Sequence, residues 1–364
     1  MRLRLLVDAT EFRDALADDL AASHRTAFLQ ALTFEGDAAG RGVADLLARA
    51  PARDRRVLVD CFTRHVLSDR FRWRPRNLVS LALWREAWAT GRMLRGLGGD
   101  GVAVRFVNPA GPLFWRFPAR NHKKVVAVDG RIAYIGGINF SDHNFAWHDL
   151  MLRIEDPRVG AFLDEDFLAT WEGRDRMGSL RIPGLTLHAL DGRDNETAFE
   201  EVLDLLAAAR DEIFVECPYV TDPFSRELVR AARRGVRVTV LTPERHNFPL
   251  VKHALARAAA HSPLRLRLYP DRMTHMKALL VDRRRLVLGS ANFDVWSYRS
   301  QQEYLVVLTE PGLVEEFRSR VAEPDLARSR PSPRTDGTKD RDPRDLEARL
   351  AGLALLASVG ARPR

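Results

Sequence analysis

The sequence predicts an α/β fold made of two duplicated halves, each a mixed β-sheet flanked by helices, which form a pseudo-dimer with one shared active-site cleft. The same polar pattern occurs twice in identical register, from His122 to Asn139 and again, 153 residues later, from His275 to Asn292. Apolar stretches with the periodicity of strand, helix and strand precede each copy. Two copies are too few for a solenoid, so we expect the halves to face each other.

The repeat places the N-terminal half at residues 1–185 and the C-terminal half at residues 186–322. A segment of the first half, about residues 62–101, has no match in the second half and is predicted to be an insertion. Residues 323–364 begin with a stretch rich in proline and charge, which predicts a disordered linker.

A short amphipathic helix is predicted at the end of the chain. Asp342 and Pro343 are typical of an N-cap and a first helical residue, and apolar residues follow at helical spacing. Docking on the body, self-association and membrane contact are all open to this helix.

Within each copy, the stretches "KVVAV" and "KALLV" predict buried strands that end at turns containing Asp129 and Asp282. A histidine and a lysine two residues apart share one face of a strand. The Gly-x-x-Asn segment after the second strand is expected to close the hairpin, where glycine lets the backbone approach an anion closely.

Lysine is rare in this chain, which makes its placement informative. Only five of the 57 basic residues are lysines, and three of the five lie in the two repeated segments. Lys124 and Lys277 each follow a motif histidine by two residues. A site that keeps lysine in an arginine-rich protein favours a compact ammonium over a planar guanidinium.

The charge of the chain indicates anionic partners without choosing among them. A net charge of +8 and an isoelectric point near 10 suit binding to nucleic acid, an acidic membrane surface or a phosphate substrate. A genomic base composition that favours arginine and alanine codons would also produce these values. Cys61 and Cys217 lack metal or redox spacing, which fits a reducing cytoplasm. We expect neither a transmembrane span nor a signal peptide.

Two histidines, two lysines and two asparagines around one cleft suit a phosphodiester. One imidazole attacks phosphorus while the other protonates the leaving oxygen, and the lysines and amides hold the non-bridging oxygens. Asp149 and Glu303 lie at matched places after the two motifs, which makes them the candidates for orienting the histidine rings. The predicted catalytic motif residues are His122, Lys124, Asp129, His275, Lys277 and Asp282, and the predicted phosphate-binding or orienting residues are Asn139, Ser290, Asn292, Asp149 and Glu303.

These two intact His-x-Lys-x4-Asp motifs resemble those of the phospholipase D superfamily. Gly-Gly-x-Asn in the first copy and "GSANFDVWSYRSQQE" in the second are most similar to bacterial cardiolipin synthases that lack N-terminal transmembrane spans. The resemblance implies a covalent phosphohistidine on His122, with His275 as the acid and later the base, and no cofactor or metal. Spacing alone leaves the two histidines equivalent. The motif aspartates lie at the ends of predicted strands, which favours a structural role for them. The first copy has Gly137 where the second has Ser290, so it lacks one hydroxyl donor.

The function implied is a phosphatidyltransferase of cardiolipin synthase type, which condenses phosphatidylglycerol with a second phospholipid. A phospholipase D-type hydrolase, a nuclease or other phosphodiesterase, and a non-catalytic nucleic-acid-binding protein are the alternatives. The expected partner is an anionic phospholipid, reached from the cytoplasm by peripheral association with the inner face of the bacterial cell membrane. The sequence does not indicate an oligomeric state.

Aromatic residues near the first motif have two interpretations. Trp84 and Trp88 lie on one stripe of a predicted helix, and Phe114, Trp115 and Phe117 precede His122 closely. They form a lipid entry or they pack on the core. His143 and His148 beside Asp149 do not predict a metal site, because the second half lacks matching ligands.

Overall fold

The structure, a computed structural model, describes residues 1–114 and 116–333. The first half holds the strands β1 (Arg2–Val7), β2 (Thr26–Ala31), β3 (Asp54–Asp60), β4 (Val66–Leu67), β5 (Arg70–Phe71), β6 (Ala103–Val107), β7 (Val125–Val128), β8 (Ile132–Gly136) and β9 (Leu150–Glu155). The second half holds β10 (Gly178–Ile182), β11 (Leu185–Asp191), β12 (Glu212–Glu216), β13 (Arg237–Pro243), β14 (Arg265–Tyr269), β15 (Ala278–Val281), β16 (Arg285–Gly289), β17 (Gln302–Leu308) and β18 (Arg330–Pro331).

Helices alternate with these strands and cover the sheets. The α-helices are α1 (Asp8–Ala21), α2 (Ala38–Arg49), α3 (Pro75–Leu78), α4 (Leu81–Gly99), α5 (Asp142–Phe145), α6 (Pro157–Trp171), α7 (Asn195–Ala208), α8 (Phe224–Arg233), α9 (Pro249–Ala260), α10 (Val295–Arg299), α11 (Pro311–Phe317) and α12 (Glu323–Arg328). Cys61–Arg64 and Pro112–Phe114 form 3-10 turns, and Arg318–Ala322 forms a π-helical turn. Within the described part of the chain, no helix is long and apolar enough to span a bilayer.

The two sheets confirm the predicted duplication. The first has the strand order β1-β9-β8-β7-β2-β3-β6, and the second has the order β10-β11-β17-β16-β15-β12-β13-β14-β18. Without its edge strands β10 and β18, the second sheet repeats the first strand by strand. In both sheets three consecutive strands pair in parallel and the remaining pairs are antiparallel, so both are mixed sheets.

One hydrophobic cluster joins the two halves. It includes Leu5 and Phe28 from the first half and Phe214 and Tyr304 from the second, all of them buried. Two further clusters pack each sheet against the helices of its own half. Since both halves contribute to one core, their relative position is fixed by packing as well as by the cleft.

Only part of the segment predicted as an insertion, residues 62–101, lacks a counterpart in the described part of the second half. In chain order α4 precedes β6 as α9 precedes β14, so this helix belongs to the repeat. What has no counterpart among the described residues of the second half is the turn Cys61–Arg64, the β4–β5 hairpin and α3. The sequence missed the correspondence because α4 and α9 share a position but no recognisable pattern.

The predicted linker begins too early. Residues 323–333 are part of the second half, because α12 buries Asp325 and β18 pairs antiparallel with β14. Although their charge and proline content predicted disorder, these residues form ion pairs and an edge strand. The C-terminal helix predicted at Asp342 and Pro343 lies outside the described residues.

Asp129 and Asp282 hold equivalent turns at the ends of β7 and β15, with φ of +56° and +50°. The Asp129 carboxylate accepts hydrogen bonds from the backbone N–H groups of residues 24–26 at 2.7–3.1 Å. Asp282 does the same for residues 210–212 at 2.8–3.3 Å. Partial burial alone would raise the pKa of each carboxyl, but the backbone N–H groups lower it. The motif aspartates therefore fasten the start of β2 and β12.

Replacing Asp129 by alanine is expected to lower the free energy of unfolding by about 2 kcal/mol, because charged hydrogen bonds to three amides are lost. The Asp129→Asn variant keeps an acceptor, and asparagine tolerates the positive φ, so this change should cost less. Because the pKa is depressed, the advantage of aspartate holds above its unfolded pKa near 3.8 and disappears as the pH falls further. Urea unfolding of both variants measures this, and equal losses at neutral pH would contradict it.

Candidate active site

A cleft of about 420 Å³ lies between the halves and is lined by residues of both. His122 and Asn139 come from the first half, and His275 and Asn292 come from the second. Each histidine lies three residues before a motif strand, β7 or β15, so the repeat places both at the same opening. The predicted shared cleft is confirmed.

The histidines are paired with carboxylates in a crossed arrangement. His122 Nδ1 lies 2.6 Å from Glu303 Oε1, and His275 Nδ1 lies 2.7 Å from Asp149 Oδ2. Each half therefore supplies the carboxylate that orients the histidine of the other half. With Nδ1 engaged by a carboxylate, Nε2 is the ring nitrogen left to face a substrate.

Backbone contacts fix this crossing. The N–H of His122 donates to the carbonyl of Gln302 at 2.9 Å, and the N–H of His275 donates to the carbonyl of His148 at 2.7 Å. Gln302 and His148 directly precede the two orienting carboxylates. Each histidine is thus held at its backbone and at its ring by two consecutive residues of the opposite half.

Burial dominates the protonation of the site. Both histidines are buried, and burial together with Lys124 and Lys277 holds the pKa of each imidazole well below its usual value. Burial likewise raises the pKa of Glu303 to about 8 and that of Asp149 to about 7. Both effects favour neutral histidine rings before a substrate enters, which leaves a lone pair for nucleophilic attack.

The lysines fold back on their own motif. Lys124 Nζ donates to the carbonyl of His122 at 2.6 Å, and Lys277 Nζ donates to the carbonyl of His275 at 2.5 Å. Burial lowers the pKa of Lys124 to about 7 and also lowers that of Lys277. A compact ammonium fits this space two residues after the histidine, whereas a guanidinium is wider and remains fully charged.

The difference between Gly137 and Ser290 follows from the two carboxylates. Ser290 donates from its hydroxyl to Glu303 Oε2 at 2.5 Å. In the first half, a Cβ at position 137 would lie only 2.3 Å from Asp149 Oδ1. Asp149, which has the shorter side chain, is therefore paired with glycine, and Glu303, which has the longer one, is paired with serine.

The preceding glycines serve the sheets, contrary to the expectation that they approach an anion. A Cβ on Gly136 would lie 2.2 Å from the Leu150 carbonyl oxygen, and a Cβ on Gly289 would lie 2.2 Å from that of Tyr304. Glycine is needed here because β8 and β16 pass close to the neighbouring strands β9 and β17.

Two asparagine amides face the cleft. Asn139 Oδ1 accepts from the N–H of Thr33 at 3.3 Å, and Asn292 Oδ1 lies 3.9 Å from the Cys217 thiol. Because the oxygens are engaged, the NH₂ groups, for which no partner is found among the described residues, can donate to a phosphate oxygen. Asp129 and Asp282 do not line the cleft, and their backbone contacts support a structural role rather than a catalytic one.

Sequence analysis missed a cation at the cleft. Arg120 lines it and forms a buried ion pair with Asp60, Nη1 to Oδ1 at 2.7 Å. Burial raises the pKa of Asp60 to about 6, although Arg120 opposes the rise. The only signal was the position of Arg120 two residues before His122, on the same strand face, in a chain with many arginines. Lys123, by contrast, points away and pairs with Asp166 at 2.6 Å.

The predicted lipid-entry residues differ in exposure. Phe114 and Phe117 are half-buried and pack edge-to-face, with ring centroids 6.1 Å apart, in a cluster with Phe71. Trp84 and Trp88 lie on α4 with 38% and 62% of their surfaces exposed. Trp115 lies outside the described residues.

His148 is the centre of a buried polar cluster behind Asp149. Its Nδ1 lies 2.7 Å from Asp8, its Nε2 lies 2.9 Å from Asp325, and Tyr269 stacks on its ring at 5.2 Å. Burial alone would lower the pKa of His148, but the hydrogen bonds to Asp325 and Asp8 raise it to about 11. Ligand atoms of His148, Glu216 and Asp325 converge within 4.8 Å, and both ring nitrogens of His148 are engaged by carboxylates.

The sequence matches the family model described as "Cardiolipin synthase, PLD-like domain" over residues 19–171 and 202–323. Cardiolipin synthase A of Pseudomonas aeruginosa is 27% identical over 359 residues, which cover 90% of this chain and 67% of the relative. Cardiolipin synthase A of Salmonella paratyphi A is 25% identical over 339 residues, covering 85% and 66%. The chain thus spans about two thirds of the length of these curated relatives.

Two solved structures are similar in fold. Phosphatidylserine synthase from Haemophilus influenzae Rd KW20 superposes with a TM-score of 0.69 at 15% identity, covering 98% of this chain and 94% of that one. Polyphosphate kinase from Porphyromonas gingivalis gives a TM-score of 0.61 at 12% identity, covering 98% and 53%. At these identities the likeness shows the fold alone.

Replacing His148 by glutamine is expected to destabilise the protein by roughly 3 kcal/mol at acidic to neutral pH, because the buried Asp325 loses its cation and the half-buried Asp8 keeps only Arg272. The raised pKa makes this stabilisation complete below about pH 6.5, and it declines as the pH rises towards 11. Chemical unfolding at several pH values measures the difference from wild type. Gln302→Ala, at the equivalent position of the second half, is the control and should show no such trend. A His148→Gln difference that does not change with pH would contradict the ion-pair assignment.

Proposed function

Because the chain belongs to the family of cardiolipin synthase PLD-like domains, we propose that it transfers a phosphatidyl group from one phospholipid to the hydroxyl of another. The observation that carries this proposal is the pair of crossed histidine–carboxylate contacts on one cleft. One imidazole must act as nucleophile and the other as acid, and the crossing gives each its own orienting carboxylate.

The first half-reaction forms a covalent intermediate. His122 Nε2 attacks the phosphorus of phosphatidylglycerol, and the bond from phosphorus to the glycerol headgroup oxygen breaks. His275, which becomes protonated once the anionic phosphodiester is bound, gives its proton to that oxygen, so glycerol leaves as a neutral alcohol. The ammonium groups of Lys124 and Lys277 and the amides of the two asparagines offset the charge on the non-bridging oxygens.

The second half-reaction reverses the roles. His275, now neutral, takes the proton from the terminal hydroxyl of a second phosphatidylglycerol. That oxygen attacks phosphorus, the bond to His122 breaks, and cardiolipin leaves with His122 restored. The choice of His122 as nucleophile rests on the family resemblance, since the geometry of the two histidines is closely matched.

Peripheral association with an anionic membrane on its cytoplasmic side is part of the proposal. Val79, Leu81 and Trp88 expose 81%, 73% and 62% of their surfaces around the start of α4. Arg85 and Arg92 lie on the same helix. Exposed apolar and aromatic side chains among arginines are the composition of a surface that binds anionic bilayers. These exposed apolar side chains around the start of α4 favour lipid over nucleic acid as the substrate.

The roles of the two histidines can be separated with a soluble chromogenic phosphodiester. A p-nitrophenolate leaving group needs little protonation, so in the first-turnover burst His275→Ala and Asp149→Asn should lose far less activity on it than on a phosphodiester with an alkyl alcohol leaving group. His122→Ala and Glu303→Gln should lose comparable activity on both, because attack precedes either departure. A larger recovery for the His122 pair would reverse the assignment.

Turnover of phosphatidylglycerol vesicles tests the reaction itself. The purified chain should produce cardiolipin and glycerol, resolved by mass spectrometry, without added metal and in the presence of a chelator. Phosphatidic acid as the sole product would identify a hydrolase. Cleavage of single-stranded DNA with no lipid turnover would identify a nuclease, and His122→Ala should abolish whichever activity is found.

A further inference from the structure

A second cavity, of about 690 Å³, lies in the first half beside the catalytic cleft. The 3-10 turn Cys61–Arg64 separates the two, because Phe62 lines the cleft while Thr63 and Arg64 line the cavity. Its other walls come from α4, β6 and residues at the end of the β4–β5 hairpin. None of the proposed catalytic residues reaches it.

Three arginines line this cavity and no acidic residue does: Arg64, Arg72 and Arg95. Among the described residues, no ion pair is found for any of the three. Arg64 instead stacks over Phe106, with its guanidinium carbon 3.8 Å from the ring centroid. Burial lowers the pKa of Arg72, and its buried Nε has no hydrogen-bond partner among the described residues. Three cations without carboxylate partners around one cavity repel each other until an anion enters.

The remaining surface of the cavity is apolar and shaped by small residues. Ala87, Gly91 and Gly98 face it from α4, so the helix leaves a furrow there. Leu94 and Val104 form apolar walls. A Cβ on Gly91 would lie 3.3 Å from Arg95 Nη1, which places that guanidinium over the floor of the furrow. An anion with an attached hydrocarbon chain matches both parts of the lining.

The cavity is continuous with the exposed apolar surface. Trp73 lines the cavity, exposes 43% of its surface and contacts Trp84 at 6.2 Å between ring centroids. Arg72 lies 4.3 Å from the ring centroid of Trp84. Leu81 and Trp88 continue the apolar surface along α4. A lipid in an adjoining bilayer would therefore meet the tryptophans first and the arginines behind them.

We propose that this cavity binds one anionic phospholipid, with its phosphate against the arginines and an acyl chain along the furrow. The bound lipid anchors the protein to the bilayer and takes no part in turnover. The site goes beyond the proposed function, since binding here requires neither the catalytic cleft nor a reactive headgroup. It can therefore be tested with a protein whose chemistry is disabled.

The test uses full-length His122→Ala protein and flotation with phosphatidylcholine vesicles, with and without phosphatidylserine. Gly91→Leu fills the furrow without removing a charge, although Arg95 must shift slightly, so it should weaken binding to the phosphatidylserine vesicles by about tenfold. Gly96→Leu is the matched control on the same helix, because a Cβ there meets no atom within 4 Å and position 96 does not line the cavity. It should bind as tightly as its parent.

A second pair of variants separates a built site from diffuse charge. Arg72→Gln with Arg95→Gln should weaken binding markedly more than Arg230→Gln with Arg233→Gln, which removes the same charge from α8. Equal losses from both pairs, or an unaffected Gly91→Leu protein, would overturn the proposal. Calorimetric titration with inorganic phosphate covers the other source of the anion: phosphate binding that is lost in the Arg72 and Arg95 variant, with vesicle binding unchanged, would identify a free-phosphate site and overturn the lipid assignment.

Discussion

The contact of each histidine with a carboxylate of the opposite half is the constraint on which the structure depends. Hydrogen bonds of 2.6 and 2.7 Å tolerate only small displacements, so the two halves must be held in one relative position. Two parallel bridges, Asn121 to Gln302 and His148 to Thr274, hold them at the cleft. The shared hydrophobic cluster holds them below it. The packing of the two halves against each other therefore also determines the geometry of the catalytic groups.

Electrostatics make the arrangement costly and explain its composition. Two histidines, two carboxylates and two lysines are buried together, which would destabilise the fold if all were charged without partners. The shifts in pKa reduce that cost by favouring neutral forms, and each lysine retains a carbonyl partner. A phosphodiester entering the cleft brings the negative charge that the lysines otherwise lack. The site is thus arranged in advance for an anion in a buried space.

The features that could be predicted from the sequence are those that follow from the repeated motif. Two polar motifs in identical register gave the duplicated fold, the shared cleft and the two carboxylates at Asp149 and Glu303. The sequence could not predict their crossing, because spacing within a half is silent about contacts between halves. Arg120 escaped notice among many arginines, and α4 was taken for part of an insertion because helix position in a repeat is not encoded by a motif. Residues 323–333 were expected to be disordered because a local composition does not reveal the buried partner of Asp325.

The pairing of Gly137 with Asp149, and of Ser290 with Glu303, has a consequence for the history of such a chain. A lengthened carboxylate in the first half would meet no hydroxyl, and a serine at position 137 would collide with the carboxylate already there. The first copy therefore cannot acquire the serine of the second copy unless the Asp149 carboxylate moves away. An isolated first half that associated with itself would rebuild two identical histidine–carboxylate pairs of the Asp149 kind, and only the bound substrate would then distinguish one histidine from the other.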